Sequence, residues 1–122
     1  MSSFTKPLVL KILQGGDYAE LVEEFSYYDT VDGVVYTVPA GFITDFATTP
    51  WWSWSFFPKI GPWTKAAVLH DYLYKEAIKD KAWADKEFHA AMLILDTPRI
   101  KAYVMYLAVK FFGRGNYYVG KL

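Results

Sequence analysis

The most constraining feature of the sequence is a change of pattern between its two halves. Residues 8–38 hold short β-branched and aromatic runs separated by glycine-containing turns, whereas residues 61–113 carry apolar side chains at helical spacing. Strands followed by helices, rather than strands alternating with helices, are typical of an α+β protein. We therefore predict N-terminal antiparallel β-hairpins in a small sheet, followed by a bundle of three helices.

The length of 122 residues suits one domain with one core. We predict a single domain over residues 1–122, mainly β in residues 1–50 and mainly helical in residues 61–113. Leu8–Leu13 and Tyr18–Tyr28 are strand-like runs joined by a first turn. The Asp-Gly step at Gly33 predicts the tight turn of a second hairpin, and residues 42–47 form a short extended segment.

Composition narrows the classes of partner. The chain is 53% hydrophobic and 20% aromatic, which is more apolar surface than one small core absorbs, so we expect a partner surface, a membrane interface or a ligand groove. Thirteen basic and thirteen acidic residues cancel, so we expect no nucleic-acid partner. The absence of cysteine excludes disulfides and thiol catalysis. We also expect no transmembrane segment and no signal peptide.

The segment at residues 51–58, WWSWSFFP, fits neither a helical nor an alternating pattern. Three interpretations remain open. It forms a lid packed on the helices, an anchor in a lipid interface, or a docking surface for another protein. The residues expected at such an interface are Trp51, Trp52 and Trp54.

The first predicted helix begins near Gly61-Pro62 and contains the adjacent pair His70 and Asp71. His70 lies mid-stripe among alanines, which let a second helix approach closely, and Tyr74 follows one turn later on the same face. Asp71 is rotated by about 100° and must address another partner. The pair is either a functional site or a core histidine beside a solvated aspartate.

The second helix, predicted from Lys81 to Leu95, places Asp85 on the flank of its apolar stripe, where a carboxylate needs a partner. His89 on the same helix and His70 on the preceding one are the candidates. We predict that His70 and Asp85 come within hydrogen-bond reach across an antiparallel helix pair. The third helix has Thr97 as its predicted N-cap, ends before Gly113 and is apolar nearly all round, so it is either central or an interface.

The pattern His-Asp-x-x-Tyr, followed by Ala-Asp-x-x-Phe on the next helix, resembles the catalytic helices of the phospholipase A2 superfamily. Small or apolar residues replace the cysteines of that family's Cys-Cys-x-x-His-Asp-x-Cys-Tyr pattern. The resemblance implies that His70 is the general base, that Asp85 orients its ring and that Tyr74 bonds the same carboxylate. It also implies a Ca²⁺ ion on Asp71. The family's glycine-rich calcium loop has no match before His70, and Asp45 is the nearest substitute ligand.

A second resemblance covers nearly the whole chain. Its motifs are the segments Val38–Pro50 and Lys65–Tyr74, then Ala84-Asp85 with Phe88. They are similar to a family of small phage and prophage proteins known as a domain of unknown function, which implies a phage origin. We therefore predict a phage-encoded hydrolase of lipid or of another ester or amide. The alternative is a non-catalytic virion component, of the tail or baseplate, or a lysis-associated protein. The expected partner is membrane lipid or another phage structural protein, and the expected location is the host cytoplasm or the virion.

Overall fold

A computed structural model describes residues 3–13, 15, 18–30, 33–44, 63–76 and 78–112. The chain divides into two compact units, Met1–Asp45 and Phe46–Leu122. Antiparallel strands occupy the first unit and three helices follow in the second, which confirms the predicted α+β class. That the whole chain is one domain stays a prediction.

The described part of the first unit holds two three-stranded antiparallel sheets, ordered β1-β4-β5 and β2-β3-β6. The strands are β1 (Ser3–Phe4), β2 (Leu10–Ile12), β3 (Ala19–Leu21), β4 (Phe25–Asp29), β5 (Val34–Val38) and β6 (Ile43–Thr44). Both predicted hairpins are present, as β2–β3 and β4–β5. The single run predicted over Tyr18–Tyr28 is instead two strands in different sheets, because the exposed residues 22–24 interrupt it with two glutamates.

The hairpin β4–β5 shows how local chemistry builds this unit. Gly33 has φ of 70°, a left-handed value that a residue without Cβ adopts freely, and its amide donates to the Asp29 carbonyl at 2.8 Å. Phe25 and Tyr27 are both buried because alternate residues of a strand share one face. The ring of Phe4 packs against both, with its centroid 4.8 Å from that of Tyr27.

The described helices of the second unit are α1 (Thr64–Lys75), α2 (Lys81–Ile94) and α3 (Arg99–Phe112). Asp80 caps α2, accepting a hydrogen bond from the amide of Trp83 at 2.8 Å. Along α1, His70 contacts Asp85 and Phe88, and Tyr74 contacts Lys81 and Asp85, so the two helices run antiparallel as predicted.

The start of α3 differs from the prediction. Its first turn closes with the amide of Ala102 donating to the carbonyl of Pro98 at 2.8 Å, so Pro98 rather than Thr97 stands at the cap position. Thr97 belongs to the end of α2 instead, because its amide donates to the Met92 carbonyl at 3.0 Å. Asp96, at φ of 62°, makes the reversal between the two helices.

Helix α3 is buried along one side and exposed along the other. Its buried side contains Ala102, Met105 and Val109. Its exposed side contains Ile100, Tyr103, Val104 and Phe111. Across the residues that the structure describes, none of the helices has the length and apolar character needed to cross a membrane.

Candidate functional site

The candidate site is built on one face of α1. His70 and Tyr74 are one turn apart, and both are buried together with Ala66 and Ala67. The two rings contact each other at a centroid distance of 4.0 Å. The sequence pattern predicted that small residues on this face let a second helix approach closely, and residues of α2 contact both rings.

Helix α2 brings a carboxylate to these rings. Asp85 Oδ1 lies 2.9 Å from Nε2 of His70, and the Tyr74 hydroxyl donates to the same oxygen. The Phe88 ring, one turn further along α2, packs on the imidazole at 4.7 Å. The side chains of His70 and Asp85 are each only 2% exposed, so they meet away from bulk water. The predicted approach of His70 to Asp85 is therefore observed.

The second carboxylate oxygen of Asp85 has a partner of its own. Nζ of Lys81, four residues earlier on α2, donates to Oδ2 at 2.7 Å. The same ammonium lies 5.7 Å from the centre of the Tyr74 ring. Three donors on three different side chains therefore converge on one buried carboxylate.

The surroundings of Asp85 favour its ionised form. Burial alone raises the pKa of this carboxyl, but the hydrogen bonds from His70, Lys81 and Tyr74 outweigh burial and leave the pKa below its ordinary value. The pKa of Tyr74 is raised, first by burial and then by its hydrogen bond to Asp85 and the charge of that group. The tyrosine hydroxyl therefore keeps its proton and acts as the donor.

This protonation pattern sets the direction of the contact with His70. An ionised carboxylate only accepts hydrogen bonds, so Nε2 of His70 carries the proton that it shares with Asp85. In a neutral imidazole the other nitrogen, Nδ1, then holds the lone pair. The Asp85 carboxylate therefore fixes the tautomer and the orientation of the ring, and Nδ1 is buried on the side away from that carboxylate.

His70, Tyr74, Lys81 and Asp85 form one cluster of side chains. Asp71, the neighbour of His70, does not join this cluster. Its carboxylate is buried and lies 3.5 Å from the ammonium of Lys75, one turn later on the same helix. The rotation between His70 and Asp71 along the helix explains why they have different partners.

His89, the local alternative as a partner for Asp85, faces α3 instead. Its ring stacks on Tyr106 at a centroid distance of 5.2 Å, and burial lowers its pKa. The contact between His70 and Asp85 therefore joins two helices, and its geometry does not depend on His89.

The described residues cover only part of the predicted calcium site. Calcium takes six to eight oxygen ligands, and no group of three His, Cys, Asp or Glu able to hold a metal occurs in the described part of the chain. Lys75 places a competing cation beside Asp71. Asp45, the other predicted ligand, lies outside the described residues, as do Trp51, Trp52 and Trp54 of the predicted interface. Calcium binding stays a prediction, and no chemical step is derived through it.

Lys81 is the residue of this cluster that the sequence patterns did not single out. Lys81 is the third residue of the charged sequence Lys79-Asp80-Lys81, and its ammonium is a partner of Asp85. The spacing of four residues between Lys81 and Asp85 on one helix is the pattern that would have identified the pair.

Comparison with known proteins places these residues in a family. A family model described as "Protein of unknown function (DUF1353)" matches residues 19–109, which include His70, Tyr74, Lys81 and Asp85. The "Uncharacterized protein y4jT" of Sinorhizobium fredii (strain NBRC 101917 / NGR234) is 33% identical over 96 residues, or 77% of this chain. This chain spans only 28% of the length of that relative. No solved structure matches the chain. Because the family model covers well over half of the sequence, the protein belongs to the DUF1353 family.

Proposed function

We propose that the protein is a small hydrolase that cleaves lipid esters or other esters and amides. His70 is its general base, and Asp85 is the carboxylate that orients the base. The observation that carries the proposal is the 2.9 Å contact from Nε2 of His70 to a buried Asp85 oxygen, which directs the lone pair of Nδ1 away from the carboxylate.

In the proposed reaction, Nδ1 of His70 takes a proton from water while the water oxygen attacks the carbonyl carbon of the substrate. The same proton then passes to the leaving oxygen or nitrogen as its bond to carbon breaks. The negative charge of Asp85 stabilises the transient imidazolium, and the hydrogen bond to Nε2 holds the ring in place. The Tyr74 hydroxyl donates a hydrogen bond to the Asp85 carboxylate and so helps to orient the carboxylate that positions the imidazole ring.

Lipid is the first substrate class to test because the two helices resemble those of the phospholipase A2 superfamily. The resemblance includes His70 and Tyr74 on the first helix and Asp85 on the second, and all three meet in one cluster. Their catalytic roles are part of the proposal.

The test is turnover by purified wild type, His70→Ala and His89→Ala on phospholipid vesicles and on soluble fluorogenic esters. General base catalysis is worth about 10²- to 10⁴-fold, and His70→Ala should lose at least that much. His89→Ala is the matched control because it removes the other histidine of the chain. Circular dichroism of each variant verifies folding. Absence of wild-type turnover on every substrate, with calcium present, would reject the hydrolase.

One observation favours a second candidate, a non-catalytic phage component in which the same cluster only stabilises the helix pair. His70 and Asp85 are buried, and the carboxylate has donors on both oxygens. Such a cluster also suits a virion or lysis-associated protein. Co-purification with phage particles, together with no turnover by wild type, would favour this candidate.

The expected partner of the hydrolase is a lipid surface reached through Trp51, Trp52 and Trp54. Co-sedimentation of wild type and Trp52→Ala with phosphatidylcholine vesicles tests this part of the proposal. Loss of binding in the variant would support a lipid partner. Equal binding by both proteins would show that Trp52 is not part of the lipid-binding surface. The catalytic role of His70 would still be tested by the turnover measurements.

A further inference from the structure

Lys81 stands where local helix rules disfavour a cation. It is the first residue of α2, at the positive end of the helix dipole, where acidic side chains are preferred. Asp80, which caps the helix, offsets part of this cost. A lysine that breaks a local rule in this way indicates a role in tertiary structure.

The ammonium group of Lys81 uses all of its donor capacity within the helical unit. One N–H donates to Asp85 Oδ2 at 2.7 Å, and the other two reach the carbonyls of Val109 at 3.1 Å and Lys110 at 2.8 Å. An ammonium has three donors and no acceptor, so these contacts fill it. Both carbonyls belong to the last turn of α3, where a helix leaves its carbonyls without intrahelical partners.

The charges of these groups are complementary. The C-terminal end of α3 carries a partial negative charge, and Asp85 is an anion. The Lys81 ammonium therefore interacts favourably with both. The Lys81 side chain is 17% exposed and Asp85 is 2% exposed, which protects the contact from most of the screening by water.

We propose that Lys81 is a positioning residue that ties the Asp85 carboxylate to the end of α3. The ammonium holds Oδ2, and this leaves Oδ1 directed at His70. Without it, the carboxylate turns about its Cβ–Cγ bond and its contact with Nε2 weakens. The expected effect on turnover rests on the proposed function, whereas the expected effect on the His70 contact does not.

The absence of cysteine from the chain allows a direct test. Lys81→Cys introduces a single thiol, which is alkylated in the unfolded protein with 2-bromoethylamine or with iodoacetamide before refolding. The first reagent restores an ammonium at nearly the length of lysine, and the second adds a neutral group. Lys86→Cys, treated identically, is the matched control because Lys86 is exposed on the same helix.

The primary measurement is the NMR resonance of the His70 Nε2 proton in ¹⁵N-labelled protein. The His89→Ala variant assigns it, since the chain has two histidines. We expect the aminoethyl form to keep the wild-type resonance and the neutral form to lose or shift it. Turnover in the neutral form should fall about 10- to 100-fold in kcat, the range expected for a hydrogen bond to a charged group. The Lys86 forms should match wild type.

The outcomes separate this proposal from the proposed function. A wild-type resonance in the neutral form, or failure of the aminoethyl form to recover it, would overturn the positioning role. Loss of the resonance in the neutral form with recovery in the aminoethyl form supports that role, even if the wild type hydrolyses nothing. In that case only the hydrolase fails.

Discussion

Helices α1 and α3 differ in how polarity relates to burial. Helix α1 buries His70 and Asp71, each 1% exposed. Helix α3 is the more apolar sequence, yet Ile100 is 82% and Phe111 is 63% exposed. The sequence of α3 contains no acidic residue, whereas α1 places an aspartate in its buried part.

The difference shows that partners, rather than hydrophobicity, decide which polar groups are buried here. His70 is buried because Asp85 accepts its hydrogen bond, and Asp85 is buried because Tyr74 and Lys81 also donate to it. On the outer side of α3, Ile100 and Phe111 stay exposed although they are apolar. The predictions below test both halves of this contrast, beginning with the largest effect.

Asp85→Ala should produce the largest loss of stability. It removes the carboxylate that joins the half-buried Lys81 to the buried rings of His70 and Tyr74. Removing one partner of a buried charge pair costs about 3–5 kcal/mol in the free energy of unfolding. Urea denaturation measures this loss, with Lys86→Ala, an exposed site on the same helix, as the control. A loss no larger than that of the control would contradict the role of the cluster in stability.

Tyr74→Phe should cost less because it removes one donor and keeps the ring. A hydrogen bond to a charged group is worth about 1.5–3 kcal/mol. The control is Tyr103→Phe on α3, where the side chain is 53% exposed. Equal unfolding free energies for the two variants would show that the Tyr74 hydroxyl stabilises nothing.

Acid should remove part of the stabilisation that the Asp85 carboxylate gives to the folded protein. Its pKa is lower in the folded protein than the ordinary value of 3.8, so the unfolded chain binds more protons in acid. The stabilisation is fully present above that ordinary pKa and is lost as the pH falls through the lower folded value. Urea titrations from pH 7 to pH 3 measure the free energy of unfolding of wild type and of Asp85→Asn. The difference between the two should shrink only at the acidic end of this pH range. A difference that is constant with pH would disprove the linkage.

Ile100→Ser tests the exposed half of the contrast. Surface substitutions usually change stability by no more than about 0.5 kcal/mol, and we expect the same here. Met105→Ser, on the buried side of α3, is the matched comparison and should be far more destabilising. A large loss in Ile100→Ser would mean that this side is covered in solution.

The smallest effect concerns Asp71 and calcium. Lys75 competes for the Asp71 carboxylate, so Lys75→Met should strengthen any calcium binding by no more than about 1 kcal/mol, the size of a partly exposed ion pair. Asp71→Asn should abolish the binding. Isothermal calorimetry at millimolar calcium measures both. No heat in wild type or in Lys75→Met would retire the prediction of a calcium site.

Sequence patterns predicted much of the fold and the centre of the site. The hairpin at Gly33 and the three helices follow from turn residues and periodicity within short windows. The approach of His70 to Asp85 was predicted because each is a polar group on an apolar helix face. His70 lies among alanines and Asp85 lies beside an apolar stripe, so each needs a hydrogen-bond partner. The predicted cap at Thr97 was wrong by one residue, because its buried hydroxyl accepts no hydrogen bond in the described structure and the first turn of α3 closes on the Pro98 carbonyl.

The sequence by itself therefore determined the order of strands and helices and the need of Asp85 for a buried partner, since both depend on neighbours within a few residues. Only the tertiary structure decided that Lys81 reaches the carbonyls of Val109 and Lys110, residues 28 and 29 positions away. It also decided which side of α3 is buried, because a helix that is apolar nearly all round carries no local preference for one side. Contacts between distant segments depend on how the helices pack, and no short pattern encodes that packing.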